Sequence, residues 1–279
     1  MRNIARSIAI FTLGALPAFA PLPAMAVPGQ GIDRLVDALA LDEIVAVMRE
    51  EGLTYGTELG RELFPEGTGA WGREVARIYD ADAMRDALAE GLEAGLVGAQ
   101  LPPVLEFFET GPGARFARLE ASARRAMLAP DVEAGAEEVA ALAMRDETPR
   151  FVLVDAFVEA NDLIEANVAG ALNANLAFSR ALLDGGAFGG AVSEAEILGD
   201  VWAQEPQIRQ DTTEWLYAFL MLAYAPATET EMQEYVAFSK SPAGRDLNRA
   251  LFAAYDEMLT EISRDLGASA ARLMAGQEI

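Results

Sequence analysis

The 279-residue sequence predicts an all-α protein, with two related helical units (an internal duplication) packed into one compact body. Three observations carry that expectation. Apolar residues recur at helical spacing over nearly all of the chain after Gly31. Strand-like alternation is scarce, Val152 and Val154 being a small exception. Proline repeatedly follows a capping residue or glycine at a place where a helix should begin.

Taken in order, residues 1–26 read as a secretory signal. Arg2 and Arg6 form a positive start, Ile8 to Leu16 open an apolar stretch, and Ala24-Met25-Ala26 supplies small residues before a cut after Ala26. The apolar part is too short to span a bilayer of about 30 Å, so the expectation is a periplasmic protein with no stable membrane insertion once the signal is removed. The first unit covers residues 32–128. Within it, Gly52, Gly56 and Gly60 mark a weakened helix or a close approach of backbones. Asp80 is placed as an N-cap with Asp82 in the first turn, and Phe116, Leu119, Ala123 and Met127 give a stripe after Gly111-Pro112.

A connector helix is expected within residues 129–149, where Pro130 can start it. The second unit covers 150–266. Thr148-Pro149 opens a long helix that should run through about Leu183, and Gly185-Gly186 with Gly189-Gly190 marks a loop. Ser193 and Glu196 have the spacing of a capping box, and Pro206 breaks or starts a helix. The longest apolar run, 215–225, suits a buried helix. Ser241-Pro242 then starts the best amphipathic helix, whose stripe is Leu247, Leu251, Tyr255, Met258, Ile262 and Leu266. Residues 267–279 are left as a C-terminal tail.

The duplication rests on two correspondences. Phe108-Glu-Thr-Gly-Pro112-Gly-Ala-Arg115 matches Phe238-Ser-Lys-Ser-Pro242-Ala-Gly-Arg245 at an offset of 130. Upstream, Asp42-Glu43-Ile44-Val45 resembles Asn161-Asp162-Leu163-Ile164 at an offset of 119, so the second copy carries extra helical length. The segment Phe238 to Arg245 resembles one carried by the bacterial domain-of-unknown-function 2059 family, aromatic-x-x-Ser-Pro-x-Gly-Lys/Arg ahead of a long helix. Phe108 to Arg115 resembles it with Gly111 replacing Ser and the second glycine displaced to position 113. The resemblance implies an exported, all-helical envelope protein of Gram-negative bacteria, and implies no reaction, substrate or cofactor.

The composition narrows the chemistry. There is no Cys and no His, so thiolate nucleophiles, Cys- or His-ligated metal and Ser-His-Asp or Cys-His arrangements cannot be assembled within the chain. Lys+Arg is 21 against Asp+Glu 44, a net charge of −23, which repels phosphate backbones and argues against nucleic acid as a partner. Asp80, Asp82 and Asp86 fail the EF-hand pattern, since Met84, Arg85 and Gly91 stand where oxygen, glycine and glutamate are needed. No catalytic residue, cofactor or metal ligand is assigned.

Two groups remain as candidates. Phe108, Pro112, Arg115, Phe238, Pro242 and Arg245 form the junction motif, read as architecture, with Arg115 and Arg245 pairing to carboxylates such as Glu106, Glu109, Glu231 and Glu234 on the preceding helices. Asn161, Glu165 and Asn175 share one face of a single expected helix, a face that can bind peptide or glycan, while Asn167 and Asn173 point elsewhere. The functional expectation is a non-catalytic envelope module that binds a protein or peptide. The alternative is a carboxylate-dependent hydrolase or lyase acting on cell-wall or other exported polymer. A third reading is a structural domain that dimerises through its remaining apolar surface. An enzyme should show a pocket with a partly buried carboxyl of raised pKa, and a binding module an apolar groove rimmed by polar residues.

Overall fold

The computed structural model describes residues 28–65, 67, 69–96 and 100–276. The expected signal segment 1–26 lies outside the described residues. Helices follow one another with short connections: α1 Pro28–Ala38, α2 Leu41–Leu63, α3 Gly69–Ile78, α4 Ala81–Gly95, α5 Leu101–Leu105, α6 Gly113–Ala126, α7 Pro130–Arg145, α8 Pro149–Ala160, α9 Leu163–Asp184, α10 Glu194–Trp202, α11 Glu205–Ala223, α12 Glu229–Ser239 and α13 Pro242–Met274. A π-helical turn, Glu106–Thr110, prolongs α5. No strand occurs among the described residues, and no described helix is long and apolar enough to cross a membrane.

Most helix starts are set by local chemistry. The side chains of Asp80, Thr148 and Ser241 accept hydrogen bonds from the backbone N–H groups of Ala83, Phe151 and Gly244. Reciprocal capping boxes start α10, through Ser193 and Glu196, and α12, through Thr228 and Glu231. Each satisfies donors that a helix N-terminus leaves without intrahelical partners.

Three sequence expectations change. The helix opened at Pro149 does not run to Leu183: Asp162, with φ of 53°, turns the chain between α8 and α9. Ala40, also with φ of 53°, makes the same turn between α1 and α2. The two turns stand three residues away from the register in which Asp42–Val45 is expected to match Asn161–Ile164. Finally, α13 does not end near Leu266. It continues to Met274 because Gly267, Ser269, Ala270 and Ala271 are buried against the rest of the body.

The helix order then runs in parallel on either side of α7. α2 packs on α3 and α4, as α9 packs on α10 and α11. The last helix of each half crosses to the other half. α13 lies along α9 and against α4, while α6 lies against α2 and α11. Close approach demands small residues at the α4–α13 crossing. A Cβ built on Gly91 would stand 2.5 Å from the Ala254 Cβ, and one on Gly95 the same distance from the Ala250 Cβ.

The interior where α6 meets α11 and α12 is aromatic. The Tyr235 ring stacks on Phe116 at 3.9 Å and on Phe157 at 4.9 Å, and Tyr224 stands edge-on to Phe116, Phe157 and Tyr235. At its centre is a carboxylate. Glu120 is buried and accepts hydrogen bonds on Oε1 from the Tyr224 hydroxyl at 2.8 Å and the Tyr235 hydroxyl at 2.5 Å. One turn on, the buried Arg124 donates from Nη2 to Glu51 at 2.5 Å, and its guanidinium lies 4.7 Å from the Trp215 ring centroid. Its Nε and Nη1 have no hydrogen-bond partner. Cation–π attraction replaces part of the missing solvation.

Two predictions follow from this packing. Gly91→Ala should destabilise the fold by about 1–3 kcal/mol through overpacking, whereas Gly72→Ala, on an exposed helical position with open space around it, should stabilise by about 0.5–1 kcal/mol; urea melts of the two variants read both signs. Arg124→Ala should cost about 3–5 kcal/mol because it strands Glu51 and opens a cavity, while Arg124→Met combined with Glu51→Leu should recover most of that loss in the same measurement.

Candidate functional site

The junction motif does not form a site. Phe108 is buried in the π-helical turn and stands edge-on to Phe238, while its neighbour Phe107 stacks on Phe238 at 4.8 Å. The two motif segments therefore meet each other across the body. Pro242 occupies the start of α13, and Pro112 is the residue immediately before α6. Gly113 and Gly244 have a common steric reason: a Cβ on either would press on the aromatic-bearing turn before it, at the Phe107 ring for Gly113 and the Phe238 carbonyl for Gly244.

The arginines part company. Arg115 pairs with Glu231 of the other half and donates to the Pro226 carbonyl at 2.8 Å, whereas Arg245 turns back to the Lys240 carbonyl. The expected pairing with carboxylates on the preceding helices is thus corrected for both, since the first partner comes from across the body and the second is a helix-end carbonyl. Glu109 instead binds Arg34. Glu231 carries two duties, closing the α12 capping box and receiving Arg115, and these hold its carboxyl down at about 2. A carboxylate with a depressed folded pKa contributes stability above its unfolded value and loses it as pH falls. Glu231→Gln should therefore lower stability by about 1 kcal/mol at pH 7 and flatten the fall of Tm between about pH 4.5 and pH 2, as thermal melts across that range would register.

The expected face of Asn161, Glu165 and Asn175 is also corrected. The left-handed turn at Asp162 puts Asn161 off α9 altogether. Asn161 is buried, its amide donating to the Phe157 carbonyl at 2.9 Å and its own carbonyl accepting from Asn248 of α13 at 2.7 Å. Glu165 is exposed and paired with Arg209, which lowers its pKa. Asn173 binds Asp256, and Asn167 donates to the Leu163 carbonyl. Asn175 lines a cavity.

That cavity lies between α2, α9 and α10. Its volume is about 300 Å³, and its body is apolar: Leu59 of α2, Phe178 and Leu182 of α9, Ile197 and Val201 of α10. One wall is the connection between α9 and α10, where Ala187 and Phe188 sit among Gly186, Gly189 and Gly190, all with positive φ. Those turns need glycine, because a Cβ disfavours left-handed backbone. A smaller chamber of about 70 Å³ shares Tyr55, Asn175 and Phe178 with it and reaches inward to Tyr79 and Ile262.

The α2 glycines explain the inner wall. Gly52, Gly56 and Gly60 do not interrupt the helix; they form a groove into which Tyr79, Val75 and Trp71 of the α3 side fit, with the Trp71 indole donating to the Gly56 carbonyl at 2.7 Å. Packing of that face turns Tyr55, Glu58, Leu59 and Glu62 toward the cavity.

The polar groups are few. Asn175 is 5% exposed, and its Nδ2 donates to Gln204 Oε1 at 3.3 Å. Gln204 Nε2 donates in turn to the Asp200 carbonyl at 3.1 Å, which orients the Gln204 oxygen toward Asn175. Asn175 Oδ1 is buried with no hydrogen-bond partner, a condition that costs roughly 1–3 kcal/mol. Glu58, Glu62 and Asp200 are exposed at the mouth. The Tyr55 hydroxyl is pushed up to about 12, by burial first and then by Glu62, so it stays neutral. Among the described residues no three acidic side chains converge to hold a metal ion. Glu165, Glu196 and Glu231 are displaced downward by their hydrogen bonds, and none of the three lines this cavity.

Comparison with known protein families, with curated proteins and with solved structures finds no match.

Proposed function

We propose that this protein is a non-catalytic binding module of the bacterial envelope, made of two copies of a six-helix unit, whose ligand enters the cavity between α2, α9 and α10. The single observation that carries the reading is an apolar cavity of about 300 Å³ enclosed by α2, α9, α10 and the connection between the last two. Apolar enclosure with a few fixed polar groups is the usual build of a ligand site. Parallel helix order around α7 and the matching left-handed turns at Ala40 and Asp162 support duplication. Arg2, Arg6 and Ala24-Met25-Ala26 support export.

The neutral apolar fluorophore N-phenyl-1-naphthylamine should bind the purified protein at one equivalent per chain with a rise in emission. Ser179→Trp, which fills the cavity from α9, should abolish the rise while circular dichroism stays unchanged. An unchanged signal in Ser179→Trp, or none in the unmodified protein, would overturn the reading.

A further inference from the structure

Resting on the cavity as a ligand site, we propose that it takes a single unbranched hydrocarbon chain of about twelve carbons, its tail running inward to the second chamber and its polar end left at the mouth. Three features select that chemistry.

The first is the shape of the space. Tyr55, Asn175 and Phe178 line both the cavity of about 300 Å³ and the chamber of about 70 Å³, so the chamber continues the cavity inward, toward the place where α2 and α9 meet α13. There it is walled by Met48 of α2 and by Ile262 and Leu266 of α13, all buried. The space is thus long, open to solvent at the α10 side and closed within.

The second is size. At ~30 Å³ a group, the share of one water molecule, the outer cavity accommodates about ten groups and the inner chamber about two more. Two groups are too few for a ring and enough for the last carbons of a chain. Leu59, Leu182, Ile197 and Val201 surround the middle of such a chain, where each methylene withdrawn from water adds to affinity.

The third is polarity. No charged residue lines the inner chamber, and no Arg or Lys lines either space. A charge carried inward would lose its hydration without gaining a partner, so the tail enters first. The polar end stays in water at the mouth, beside the exposed Glu58, Glu62 and Asp200.

A series of 1-alkanols of six to fourteen carbons, titrated below their solubility limits against bound N-phenyl-1-naphthylamine, measures the length of the space directly. Affinity should rise about four-fold per methylene up to about twelve carbons and change less than about two-fold from twelve to fourteen. Ala174 and Ser263 line the inner chamber and not the outer cavity. Ala174→Leu or, if that variant does not fold, Ser263→Leu should stop the rise about two carbons earlier, weakening dodecanol more than about ten-fold and leaving hexanol and octanol unchanged. Ser179→Trp should eliminate the whole series.

A rise that stops at about ten carbons in the unmodified protein, or a limit that Ala174→Leu and Ser263→Leu leave in place, would overturn the inward path. A rise that continues unbroken to fourteen carbons, or one that survives Ser179→Trp, would mean adsorption to an open surface and would equally overturn it. If no alkanol displaces the fluorophore although the fluorophore binds, the ligand class is wrong and the site stands. If the fluorophore also fails, the site falls with it.

Discussion

A carboxylate buried among aromatic rings has to be satisfied where it stands, and Glu120 is satisfied by two tyrosines from different helices. Tyr224 closes α11 and Tyr235 lies within α12, while Glu120 itself comes from α6. The three elements must therefore meet at one point, and the ring of Tyr235 is fixed there between Phe116 and Phe157. Uncompensated, a buried charge of this kind is far more expensive than any single apolar contact is favourable. Glu120 thus specifies the arrangement as well as contributing to it. Because α6 belongs to the first half and α11 and α12 to the second, the requirement ties the halves together.

The crossing has a consequence on the far side. α13 runs the length of the body, wedged between α9 and α4, and small residues let it approach both: Gly91 and Gly95 from α4, Gly267 against the Phe178 carbonyl of α9. α2 is filled on its glycine face by α3. α9 has α10 in the corresponding place, but α10 is joined by a glycine-rich turn and packs on α9 without closing onto α2. The space between α2 and α10 is the cavity. It follows from two short helices, of which α3 fits the glycine groove of α2 and α10 stands off from α2.

Local chemistry was legible in the sequence and long-range geometry was not. Asp80, Ser193 and Ser241 declare their helix starts because a cap acts within four residues of itself. The stripe from Leu247 to Leu266 is equally self-contained. The turn at Asp162 was illegible: Asp tolerates left-handed backbone but does not demand it, and the equivalent Ala40 has no such tendency, so tertiary packing decides both. Missing that turn joined Asn161 to a face it does not share. Arg115 was likewise assigned a near neighbour when its partner lies 116 residues away. The cavity draws its wall from α2, α9, α10 and the end of α13, each of which reads alone as an ordinary apolar stripe. Asn175 was the one residue in it that sequence singled out, since an amide amid Ala and Leu invites the question of what it binds.

The contrast between Glu120 and Asn175 bears on what each does. Both are polar, both are almost wholly removed from solvent, and each lies on a long-range contact between helices. Glu120 receives its hydrogen bonds from the chain itself. Asn175 gives one hydrogen bond to Gln204, and its buried Oδ1 has no partner. A leucine at 175 would fill nearly the same volume without that deficit. The penalty is tolerable to the folded chain only because burial elsewhere is extensive. An interior polar group paired within the protein ties the elements that supply its partners, whereas one left short of a partner only costs the fold.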